Sequence, residues 1–130
     1  MKLNVIAFAL IILIAIPAIA HHSFDIEFDS KKTGTITGVV TKLDWINPHA
    51  YIHVEFKEAN GTVKNYRIEL GPPYSLTRGG WKRDTVKIGD KITVEGAAMA
   101  RDGGPTAGAL STTFLTAAPA LAAGQKLPLR

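Results

Sequence analysis

The sequence contains no cysteine. That excludes disulfides, thiolate metal sites, a cysteine nucleophile and a lipid anchor on an N-terminal cysteine. It also suits an oxidising compartment, where no thiol is left to mispair. Histidine is scarce, with four in 130 residues. A dominant charge of one sign is missing as well. The formal net charge is +4, and the densest basic group is only Arg78, Lys82 and Arg83. A balance this mild serves solubility and gives no basic stripe for nucleic acid. Walker, dinucleotide-binding and zinc-finger spacings are absent. Gly103-Gly104-Pro105 reads as a turn, not a phosphate loop.

Long apolar runs are also lacking, with one exception at the start. Lys2 precedes an apolar stretch from Leu3 to Ile16, Pro17 breaks it, and Ala18-Ile19-Ala20 offers a small–x–small site. This is the pattern of a secretory signal peptide over residues 1–20. The stretch is short for a span of about 20 residues, so removal is expected rather than retention as an anchor. The mature chain then starts at His21, has no membrane span, and is periplasmic or secreted. It is one domain, large enough to bury about two thirds of its unfolded surface.

Within the mature chain, residues 21–32 read as an N-terminal arm. Residues 33–46 are rich in Thr, Val and Ile, and Gly38 with Val39-Val40 predicts a bulge or bend. After Asn47-Pro48 the chain alternates cleanly. Ala50, Ile52, Val54 and Phe56 face one way; His49, Tyr51, His53 and Glu55 face the other. Ala59-Asn60-Gly61 marks a hairpin, and Tyr66, Ile68 and Leu70 form the apolar face of the return strand.

A two-residue loop at Asn60-Gly61 would oppose Phe56 with Asn65 and mix the faces. A three-residue loop, Asn60–Thr62, pairs Phe56 with Tyr66, Val54 with Ile68 and Ile52 with Leu70. It also sets Glu55 opposite Arg67 and His53 opposite Glu69. The second register is the expected one. A short helix near Tyr74–Arg78, a turn at Lys87–Asp90, a strand with Ile92 and Val94 inward, a loop, and a last strand at 109–115 follow. Residues 117–130 read as a flexible tail. The expected fold is mainly β: a small five-stranded OB-like Greek-key barrel over 33–116, with one short helix between strands 3 and 4.

The histidines fall in two pairs. His21 and His22 open the expected mature chain; His49 and His53 share one strand face. Four residues of strand span about 13 Å, so His49 and His53 do not reach one ion alone. A terminal histidine chelates through its α-amine and Nδ1, and a further imidazole completes a three-nitrogen array suited to Cu(II). Cleavage after Ala18 would instead place His21 third, another copper-competent terminus. The expected metal ligands are His21, His22, His49 and His53, with Glu69 orienting His53. A plainer reading has His49 capping the turn and His53 pairing with Glu69 on a solvated face. Trp45, Tyr51 and Trp81 offer an alternative, an aromatic surface for a glycan, an envelope component or a protein partner.

The segments HHSF (21–24), WINPHA (45–50), RIELGPP (67–73), GWKRDTVKIGDKITVEG (80–96) and ARDGG (100–104) resemble a family of small exported bacterial proteins classed as a domain of unknown function. The resemblance covers about residues 21–115 and implies export and a compact β domain, with no established activity. Members of that family often carry a histidine where this chain has Ala97. The expected function is that of a periplasmic copper carrier or accessory protein rather than an enzyme. A copper oxidase or oxygenase is the least favoured reading, because the sequence supplies neither a substrate groove nor an entry for electrons.

Overall fold

The computed structural model describes residues 24–118, 121 and 125–130. The expected leader and the His21-His22 pair lie outside them. A helical turn at 24–27 leads into β1 (Phe28–Asp44). Then come β2 (Tyr51–Lys57), β3 (Val63–Glu69), α1 (Pro73–Arg78), β4 (Lys91–Ala100), β5 (Thr106–Gly108), β6 (Phe114–Ala118) and β7 (Leu127–Pro128). The molecule is mainly β, as its alternating Thr, Val and Ile residues require. The described residues hold seven strands in one sheet, ordered β1-β2-β3-β5-β4-β6-β7, with a further pairing of β1 to β4.

β1 is long enough to serve two neighbours. Its first part, to Val39, pairs with β4, and its last part, from Val39, pairs with β2. The change of partner falls at the predicted bend. The register against β2 shifts between Val40 and Lys42, and a Cβ on Gly38 would lie 2.2 Å from the Glu55 carbonyl oxygen. Only glycine allows so close an approach. The strand also begins at Phe28, so the arm boundary expected at 32/33 falls inside β1.

Hairpin β2–β3 departs from the expected register. Ile52 pairs with Ile68, Val54 with Tyr66, and Phe56 with Lys64. The slip is two residues, so both apolar faces survive it. The loop has three residues but they are Ala59–Gly61, closed by a bond from the Glu58 amide to the Thr62 carbonyl at 2.9 Å. Gly61 has φ +86°. A three-residue hairpin needs its left-handed residue last, after a type I turn, and Gly61 fills that place only in this register. Phe56 and Tyr66 still meet edge-on along the diagonal, with ring centroids 6.3 Å apart.

Helix α1 matches expectation, with proline at its start and Gly79 at its end. The C-terminal third does not. The expected strand 109–115 is broken, because Leu110–Thr113 is a turn in which side-chain bonding replaces strand pairing. The Thr113 hydroxyl accepts from the Leu110 amide at 2.7 Å and donates to the Gly96 carbonyl at 2.9 Å. The strands lie either side, as β5 and β6. Nor is the chain end loose. Leu127 and Leu129 are buried, the Gly71 amide donates to the Leu129 carbonyl, and the Trp81 indole donates to the Pro128 carbonyl at 2.8 Å.

The main core gathers Ile52, Val54, Ile68, Trp81, Ile92 and Leu115 with their neighbours. Phe28, Ala98 and Ala100 are also buried but stand apart from it. They form a satellite on the other side of the sheet, where Phe24 packs at 4.9 Å from Phe28.

Candidate functional site

Strand β2 carries its polar side chains outward because Ala50, Ile52 and Val54 fill the core. His49 stands just before it, and the Ala50 backbone, bonded to Leu70 and Gly71, fixes the entry. The His49 Nδ1 lies 2.7 Å from Glu69 Oε1. His53 Nε2 lies 3.0 Å from Asp44 Oδ2, and the same carboxylate binds the Lys42 ammonium. Each strand histidine therefore has its own carboxylate. The expected pairing of Glu69 with His53 does not form: in the observed register Glu69 faces Tyr51, and His53 faces Arg67.

A carboxylate that takes one imidazole N–H fixes the ring and leaves the other nitrogen free to accept. His49 is left with Nε2, and His53 with Nδ1. Around them the charges are tightly matched. The hydrogen bond from Lys42 holds the Asp44 carboxyl below its usual range; desolvation opposes it, and His53 adds to the lowering. Burial raises the Tyr51 phenol, with Glu69 and Glu27 adding to it against Arg67. Arg67 stacks over the Tyr51 ring at 5.2 Å and reaches Glu27 at 3.5 Å. Asp44, Glu27 and Arg67 were invisible as site residues in the sequence, since only the strand register brings them to the histidines.

Segment 24–28 runs beside this cluster. A Cβ on Gly108 would lie 2.5 Å from the Phe24 ring and 2.7 Å from Phe28, so both rings rest on bare backbone. Gly108 is the parallel-strand partner of Glu69. Arg130 stacks over Phe24 at 4.9 Å and donates to the Ala109 carbonyl. Arg101 bonds the carbonyls of Asp25 and Glu27. The contacts run from Phe24 through Gly108 and Glu69 to His49. Among the described residues, no three His, Asp or Glu side chains gather around one point.

The aromatic trio does not share a surface. Trp81 is 1 % exposed, Trp45 packs on the same core with its ring 6.4 Å away, and Tyr51 faces outward. Ala97 is fully buried opposite Gly34. Among the described residues, no helix is long and apolar enough to cross a membrane.

Fold and site together define a small, mainly β domain with two carboxylate-held histidines beside its N-terminal segment. The chain belongs to a family of unknown function (DUF6152), whose family model matches residues 9–109. No curated protein and no solved structure matches it.

Proposed function

We propose that the protein is an exported carrier or accessory protein for copper, acting in the periplasm or outside the cell without catalysing a reaction. His21 chelates Cu(II) through its α-amine and Nδ1, and His49 Nε2 adds a third nitrogen. His22 and His53 are the remaining candidate donors. One observation carries the reading: Phe24 rests on Gly108, the sheet neighbour of Glu69, and Glu69 holds His49. Three residues of chain span at most about 11 Å, and in this reading His21 uses that reach to meet the free nitrogen of His49. Asp44 gives His53 a carboxylate too, but the link from segment 24–28 to it runs only through the exposed 3.5 Å pair of Glu27 with Arg67, the sheet partner of His53.

The test is a competitive metal titration of the form that begins at His21. Cu(II) should bind more tightly than Zn(II). An extra Met before His21 removes the amine chelate and should weaken copper binding by tenfold or more. His49→Ala should do the same, and Glu69→Gln should cost roughly 10–100-fold by freeing the ring. His53→Ala should stay near the native value. Equal affinity in all forms rejects the site.

We further infer that β1 to β5 close as an OB-like Greek-key barrel. The pairings β1–β2, β2–β3, β3–β5, β5–β4 and β4–β1 support this, as does α1 between β3 and β4.

A further inference from the structure

The segments after β1 and before β4 flank an open groove of about 560 Å³. Leu43, Trp45, Val86 and Ile88 supply its apolar surface, and Arg83, Lys87 and Asp84 its charges. Of the aliphatic side chains that line it, Ile88 projects instead of turning inward. Ile88 is 73 % exposed, and Ile46, next to Trp45, is 54 % exposed. Lys82, Arg83 and Lys87 are exposed as well, and none enters an ion pair among the described residues. All eleven carboxylate residues of the chain lie in the described part. Of those nearby, Asp84 lines the groove, and Asp90 accepts the Lys87 amide at 2.8 Å.

We propose that this face docks on an anionic lipid surface. Ile46 and Ile88 enter the boundary of the acyl chains, and Lys82, Arg83 and Lys87 meet the lipid phosphates. The charge complementarity is direct: three unpaired cations on this face, two of them lining the groove, stand against Asp84 in the groove and Asp90 beside it. A projecting aliphatic beside two cations, Ile88 with Arg83 and Lys87, suits a boundary that is apolar below and anionic above. A pocket for a dissolved ligand would enclose its apolar groups, whereas Ile88 stands out from the surface. The inference stands independently of copper.

Vesicle flotation tests it. The form used begins at His21; both hydrophobic clusters of the described residues lie within 24–129, so it carries them whole. It should float with vesicles of phosphatidylglycerol and phosphatidylcholine in equal parts, not with phosphatidylcholine alone, and salt should release it. Arg83→Gln and Lys87→Gln should each weaken binding about fivefold. Ile88→Asp should abolish it, while Val63→Asp, at an exposed aliphatic on the β2–β3 hairpin, should leave it intact. Circular dichroism confirms that each variant is folded, and the two cation variants decide the matter if Ile88→Asp does not fold. Absence of flotation, equal flotation with neutral vesicles, or native binding by the cation variants overturns the proposal. So does capture by an acidic protein partner without any binding to vesicles.

Discussion

Asp44 shows how one residue ties local charge to the candidate site. Its carboxylate takes hydrogen bonds from Lys42 and His53, and the Lys42 bond is the largest cause of its lowered pKa. The folded value lies below the unfolded one. Its contribution to stability is therefore present above the unfolded value and is lost as pH falls through the folded one. Carboxyl NMR should place the Asp44 midpoint below 3.8, and Lys42→Ala should move it back up. An unchanged midpoint in that variant would mean that His53 dominates. Tyr51 gives the complementary test at high pH. Its phenol is raised, first by burial, so an ultraviolet titration should show a component above 10.0 that Tyr51→Phe removes. Here the folded state holds the proton more tightly, and the contribution to stability is lost as pH rises through the folded value.

At the scale of the element, the β2–β3 hairpin depends on Gly61. With φ +86° and open space around its Cβ position, Gly61→Ala meets no clash, only backbone strain. The expected loss is about 1–2 kcal/mol, read as a lower denaturation midpoint with an unchanged m-value. A loss near zero would show that the loop rebuilds itself around Asn60. The face pattern of this hairpin was legible from its period of two, because burial selects every second residue. Its register was not. Two registers that differ by two residues bury the same faces, and the left-handed position in the turn decides between them.

The segment 24–28 is an element of the same kind. In the sequence it read only as part of an N-terminal arm, and the satellite cluster it forms depends on Gly108 leaving room on the sheet. Phe28→Ala should cost about 3–5 kcal/mol, measured by denaturant unfolding. Because Phe24 packs on Phe28, the same variant should weaken the proposed copper binding while the variant remains folded.

For the whole molecule, the chain end is a structural member. Leu129 is fully buried, its amide donates to the Thr113 carbonyl, and β7 pairs with β6. Leu129→Ala should cost about 2–5 kcal/mol in thermal or denaturant unfolding. A change below about 0.5 kcal/mol, typical of exposed sites, would mean that the end is not seated in solution.

By itself, the sequence determined the mainly β class, the inward faces of β2, β3 and β4, the short helix, and the turns at Lys87–Asp90 and around Gly61. These are local: they follow from period-two burial, proline and glycine geometry, and side-chain propensity. Only the tertiary structure decided which carboxylate holds which histidine, that Trp81 is core rather than surface, that 109–115 breaks at Thr113, and that Leu127 and Leu129 complete the core. Each of these rests on partners far apart in the chain, such as Thr113 with Gly96 or Trp81 with Pro128. Composition reports what a residue prefers to bury, but not which distant backbone group stands ready to receive it.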